Sequence, residues 1–131
     1  MIVVDASVVL DVLVKSNRGR AAAELLFARG ESLHAPHLID VEVTQALRRW
    51  ERIQDLSPAR AAEAREDLSY LPLARYGHVE LLPRIWALRA TMTAYDAAYV
   101  ALAEALDCRL LTFDAKLARA AGPHGPATLL Q

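Results

Sequence analysis

Four carboxylates stand out by the company they keep. Asp5 follows the apolar run Ile2-Val3-Val4, and Asp114 follows Leu110-Leu111-Thr112-Phe113. Short continuous apolar runs read as strands buried on both faces, so both acids fall at the carboxyl end of a strand. Glu42 lies among Leu38, Ile39, Val41 and Val43, on or beside the apolar stripe of a helix. Asp96 lies in Thr93-Ala94-Tyr95-Asp96-Ala97-Ala98-Tyr99, where everything around it is apolar or small. In an open α/β sheet the carboxyl ends of the strands are where ligands bind, and all four acids can converge there. Four close carboxylates repel one another and raise at least one pKa. A hard divalent cation, Mg²⁺ or Mn²⁺, relieves that repulsion through oxygen ligands, and such an ion can activate water against a phosphodiester. Ser7, two residues after Asp5, and Thr112, two before Asp114, supply hydroxyls able to orient the carboxylates.

Each acid also has a plainer reading. Asp5 and Asp114 could simply N-cap the helices that follow them. Thr93 and Asp96 have the spacing of a capping box. Glu42 could be a partly exposed glutamate at the edge of its stripe; if buried, it needs a cation, an arginine or a proton, because an unpaired buried carboxylate costs several kcal/mol. Asp40 points away from Glu42 around the helix and ranks below it. No acid decides the matter alone; the joint placement does.

The elements that must position these acids alternate. Strands are expected at Ile2–Val4, Glu31–Ala35, Leu73–Tyr76, Arg109–Phe113 and, briefly, Thr128–Leu130. Helices are expected at Ser7–Val14, Arg18–Gly30 (Asn17 as N-cap and Gly30 as stop), His37–Ile53, from Ser57-Pro58 through Leu71, His78–Ala90, from Thr93 to Asp107, and Asp114–Ala121. Alternation of this kind implies parallel strands joined by right-handed crossovers. The expected class is α/β, three-layer α/β/α, with a short parallel sheet of four to five strands in one domain spanning 1–131.

Composition excludes several classes. Hydrophobic residues make up 54% of the chain, too many for disorder. The lone Cys108 cannot form an internal disulfide, which fits a reducing cytoplasm. The apolar N-terminus lacks a basic flank and is broken by Asp5 and Asp11, unlike a signal peptide, and no run is long enough for a membrane span. A net charge of −1 argues against a purely electrostatic nucleic-acid binder. Once the four acids are set aside, however, the remainder is mildly basic. Arg18, Arg20, Arg48, Arg49 and Arg89 are candidate contacts to an RNA backbone, beside the simpler reading of a solvated helix face. No Cys pair or H-E-x-x-H accompanies the histidines, and no G-x-G-x-x-G or P-loop is present. A dehalogenase-type phosphatase needs D-x-D after strand one, where this chain has Asp5-Ala6-Ser7; a response-regulator receiver needs an early acid pair and a late lysine, and neither is found.

With these blocks in place, Met1-Ile2-Val3-Val4-Asp5-Ala6-Ser7, Pro36 to Val43, Leu88 to Ala103 and Leu110 to Asp114, the chain resembles the PIN-domain ribonucleases, in particular the VapC toxins of toxin–antitoxin pairs. The resemblance runs the whole length in order. It implies a PIN fold, a Mg²⁺- or Mn²⁺-dependent endoribonuclease that leaves 5′-phosphate and 3′-hydroxyl ends, a homodimer, and a cognate VapB-type antitoxin that blocks the site. Residue by residue it assigns Asp5, Glu42, Asp96 and Asp114 to the acidic quartet, as catalytic and metal-holding groups, and matches Ser7 and Thr112 to the hydroxyl positions. The alternative is a PIN-like module that binds a protein partner without cleaving RNA.

Overall fold

A computed structural model describes all 131 residues of the chain. Its strands are β1 (Ile2–Val4), β2 (Leu33–Pro36), β3 (Leu73–Tyr76), β4 (Arg109–Thr112) and β5 (Ala127–Leu129). Between them run α1 (Ala6–Val14), α2 (Asn17–Phe27), α3 (Leu38–Arg52), α4 (Pro58–Tyr70), α5 (Leu82–Ala87), α6 (Ala94–Leu106) and α7 (Ala115–Ala121). All strand pairs are parallel, in the order β3-β2-β1-β4-β5. Right-handed crossovers place the helices that follow β1 and β2 on one face and those that follow β3 and β4 on the other. The packing agrees: α1 lies against α2, α3 and α4, while α6 lies against α5 and the strands β1, β2 and β4. The expected three-layer α/β/α class with a parallel sheet is therefore what the chain adopts.

The order matters for the site. From β1 the chain moves outward through β2 to β3, then returns and continues on the other side with β4 and β5. The direction reverses between β1 and β4, so their carboxyl ends flank the switch point, where a crevice opens in sheets of this kind. Every helix that follows a strand starts at that same end. The residues that make the core explain the sheet: Val3, Val4, Ala35 and Leu110 are fully buried, covered by Val8, Ile39, Val43, Ala97 and Leu117 from the helices. Val3, Val4, Leu110 and Leu111 are buried on both faces, which is why their runs do not alternate.

Some boundaries differ from the expectation, each for a local reason. The second strand is shifted to Leu33–Pro36, and Pro36 ends it rather than opening the next helix. His37 donates its N–H to Tyr76 of β3, so the Pro36 nitrogen faces the β1 side, where pairing has already ended at Val3 and His34. No ladder bond is lost there. Ser16, not Asn17, caps α2 by accepting the Gly19 N–H, and α2 stops at Phe27, three residues short of Gly30. The segment expected as one helix over His78–Ala90 divides into a 3-10 turn, Val79–Leu81, and the short α5, whose first turn holds Pro83. Proline lacks the N–H that would continue the preceding turn and suits a helix start.

The corner between α1 and α2 is unusually close. A Cβ added at Gly19 would lie 1.9 Å from the Asp11 carbonyl oxygen. Beneath it the buried Asp11 carboxylate accepts from Ser16 Oγ at 2.6 Å and from Arg18 at 2.7 and 3.0 Å. Gly19→Ala is expected to force the two helices apart and cost about 3 kcal/mol. Urea denaturation, read as a drop in midpoint at unchanged slope, measures it.

Candidate active site

Asp5 sits at the switch point itself. It ends β1 and N-caps α1, its Oδ1 accepting the Val8 N–H at 3.2 Å. The cap is only part of its bonding. Ser7 Oγ donates to Oδ1 at 2.6 Å, and Thr112 Oγ1 donates to Oδ2. Each hydroxyl is in turn held from behind: Ser7 Oγ accepts the Phe113 N–H and Thr112 Oγ1 accepts the Asp114 N–H, both at 2.9 Å. Two relays thus lock the turn after β4 onto the carboxylate after β1, and fix which way that carboxylate faces. Asp5 is 5% exposed and Thr112 fully buried. Burial raises the Asp5 pKa, against three hydrogen bonds that lower it, and the nearby Asp114 charge raises it further.

Asp114 caps α7, accepting the N–H groups of Lys116 and Leu117 at 2.9 and 3.3 Å, and is exposed. Asp96 lies in the first turn of α6, where Thr93 Oγ1 accepts its backbone N–H at 3.1 Å. Asp114 is thus the N-cap expected, while the capping box of Thr93 and Asp96 is made only in its forward half. Capping does not account for the Asp96 pKa, raised first by burial and then by the Asp114 charge. Glu42, half-buried, is met by a tyrosine and not by an arginine: Tyr99 Oη donates to Oε1 at 2.5 Å. Burial raises the Glu42 pKa, the Tyr99 hydrogen bond lowers it, and the charges of Asp96 and Asp5 raise it again.

The four expected acids thus lie at one end of the sheet, and each is linked by charge to its neighbours: Asp5 with Asp114 and Glu42, Asp96 with Asp114 and Glu42. Their donor set is oxygen alone, which suits a hard ion such as Mg²⁺ or Mn²⁺. As the side chains stand they do not close on one point, since no three Asp, Glu, His or Cys side chains are arranged to grip an ion. The donor chemistry fits a divalent cation; gripping one requires the outer carboxylates to turn inward toward Asp5, which its relays hold in place.

Other charged groups are accounted for elsewhere. Asp40 is clamped by Arg75 at 2.7 and 2.9 Å, which confirms its separation from Glu42. His34 is bonded to Ser32 and Tyr76 in the sheet. Of the candidate RNA contacts, Arg18 is engaged with Asp11 and lies over the Phe113 ring, and Arg89 lies over Trp86. Arg20, Arg48 and Arg49 are exposed and form no ion pair. Tyr99 was not singled out from the sequence. Its signal is there all the same, three residues after Asp96 and so on the same helix face.

Comparison with known proteins places the chain in a family. The chain matches the PIN domain over residues 2–123. It is 42% identical to ribonuclease VapC9 of Mycobacterium tuberculosis over 130 residues, covering 99% of this chain and 98% of that one. It is 46% identical to ribonuclease VapC1 of the same organism over 122 residues, 92% of this chain and 90% of that one. Among solved structures, a toxin–antitoxin complex from Klebsiella pneumoniae has a similar fold, with a TM-score of 0.70 at 16% identity, covering 98% of this chain and 96% of that one.

Proposed function

The chain belongs to the PIN-domain family, and on that premise we propose that it is a metal-dependent endoribonuclease, the toxin of a VapBC-type pair, working through Asp5, Glu42, Asp96 and Asp114. The observation that carries the site assignment is the buried Asp5, held by two hydroxyl relays among three other carboxylates at the switch point. A plain N-cap needs one backbone bond, not that surround. A module that only bound a protein partner would gain by neutralising Asp5, because burial disfavours its charge. The relatives named ribonucleases, alike over nearly the full length, support the same choice.

Mg²⁺ or Mn²⁺, when bound, would draw charge from the scissile phosphate and lower the pKa of an attacking water. The chain's own residues set the stage. Ser7 and Thr112 hold the Asp5 carboxylate in one orientation, as outer-shell donors do for ligating groups. Tyr99 fixes Glu42 across from it. Asp96 and Asp114 flank them from the first turn of α6 and the N-cap of α7. No side-chain nucleophile is required.

A VapB-type antitoxin is the partner, on the strength of the relatives and of the similar fold found in a toxin–antitoxin complex. A homodimer is proposed as well, supported by the exposed apolar row Val79, Leu82 and Trp86. No helix is long and apolar enough to cross a membrane, and the free Cys108 fits the cytoplasm as the place of action. The whole of 1–131 is taken as one domain around its one large core cluster.

The test is direct. Freed of antitoxin, the protein should cut RNA with Mg²⁺ or Mn²⁺, leave 5′-phosphate and 3′-hydroxyl ends, and stop in EDTA. Cleavage indifferent to EDTA would overturn the metal assignment, and no cleavage of total cellular RNA under any divalent ion would overturn the nuclease.

A further inference from the structure

One hollow opens directly from the acidic site. It lies between α3 and the first turn of α6, encloses about 410 Å³, and has Glu42 as a shared wall. Tyr95, the neighbour of Asp96, stands on its α6 side and is 63% exposed. Leu38, Val41 and Ala46 of α3 form the apolar side facing it, and Val41 is itself 69% exposed. Gln45 and Arg49 complete the rim further along α3. An apolar slot walled by an exposed ring, with one amide and one cation, is otherwise unexplained on a helix surface. Both residues belong to helices, but neither side chain is otherwise engaged: Arg49 has no carboxylate partner, and Tyr95 stands exposed.

We propose that this hollow seats an unpaired nucleobase next to the scissile phosphate, stacked on Tyr95. The inference rests on the nuclease reading and adds a named seat for one nucleotide beside the cut. Every base offers a π-face, so stacking on an exposed tyrosine holds a nucleotide without demanding a sequence. Gln45 can donate to and accept from a base edge, which adds preference. Arg49, beyond the base, is placed for the next phosphate along the strand, so that chain polarity runs from acids to cation. A base can enter this seat only if it is unstacked and unpaired, so pairing that one base should close the seat to it. Continuity with Glu42 and Asp96 favours a nucleotide over a docked peptide. A strand whose phosphate reaches the acids must lay a base to one side, and this slot begins where the acids end.

The test couples the ring to the base. A fluorescein-labelled single-stranded oligoribonucleotide, its cut position mapped, is compared with versions carrying one abasic ribose walked across that position and with a hairpin that pairs the same bases. Binding by anisotropy in EDTA and cleavage with Mn²⁺ are both read for wild type, Tyr95→Ala and Tyr95→Phe. Tyr95→Ala is expected to weaken binding and lower kcat/KM about 10- to 100-fold, the range of one base–aromatic stack. At one abasic position that loss should vanish, and Tyr95→Phe should restore most of the coupling; the hairpin should resist. Independent penalties at every abasic position overturn the base seat, as does a Tyr95→Ala protein that cuts normally but escapes its antitoxin, which would give the hollow to a protein partner. Tyr95-dependent binding without cleavage supports the seat and sinks the nuclease instead. Cleavage without coupling does the reverse, and neither binding nor cleavage sinks both.

Discussion

Asp5→Asn and Asp96→Asn are each expected to abolish RNA cleavage while the protein stays about as stable as wild type. Asparagine is the informative replacement because it caps a helix as well as aspartate does. If Asp5 served only as a cap, the variant would lose nothing. The relays can largely survive: the oxygen of the replacing amide would accept from Ser7 and from the Val8 N–H, and its nitrogen would donate to Thr112 Oγ1, whose own hydrogen must then turn from Asp5 toward Ser7 Oγ, 3.5 Å away. The charge that burial disfavours would be gone. Cleavage should nevertheless fall, because several kcal/mol of transition-state stabilisation leaves with a carboxylate of the quartet, roughly 1000-fold or more in rate. Rates on a mapped oligoribonucleotide and melting temperatures of the same preparations measure both sides. A variant that melts many degrees lower and cuts in proportion to its folded fraction would make Asp5 a structural residue, and full activity in Asp96→Asn would remove α6 from the site.

What could be read from the sequence was the part fixed by local pattern. The runs Ile2–Val4 and Leu110–Thr112 announce buried parallel strands by their lack of alternation, and each leads into an acid, so two members of the candidate site and their sheet end were legible together. Glu42 and Asp96 were legible as misfits, carboxylates among apolar neighbours. What was not legible depends on contacts distant in sequence. That Thr112 donates to Asp5 across 107 positions follows from the pairing of β4 with β1, and the one-residue register of that pair decides it. That Glu42 would be met by Tyr99 requires α3 and α6 to approach at one level, which no periodicity specifies. The shifted β2 is the same lesson on a smaller scale. Pro36 looked like a helix start because the ladder that tolerates it, one-sided beyond His34, is a property of three strands at once.

Mn²⁺ or Mg²⁺ at neutral pH is expected to raise the melting temperature by roughly 10 °C at about a hundredfold excess over its Kd, and the reason lies in the sign of the proton linkage. The pKa values of Asp5, Glu42 and Asp96 are all raised in the folded chain, by burial first in each case. An acid with a raised folded pKa binds more protons native than unfolded. Its contribution is therefore present at low pH and lost as the pH climbs from its ordinary value, about 4, through the folded one. In EDTA these acids make the protein less stable at neutral pH than in that acidic window. His34 pulls the other way: burial lowers its pKa, so its share of stability is lost on acidification below about 6.5. The comparison that separates them is wild type against Asp5→Asn, since His34 is common to both. Scanning calorimetry across the pH range should show wild type, relative to the variant, losing stability as pH rises in EDTA and regaining it with Mn²⁺, which binds the ionised carboxylates of the folded state alone. The variant should show a flatter curve and a much smaller response to the ion. If wild type and Asp5→Asn shift equally with Mn²⁺, the ion binds elsewhere, and the convergence of the four carboxylates has some other purpose than holding it.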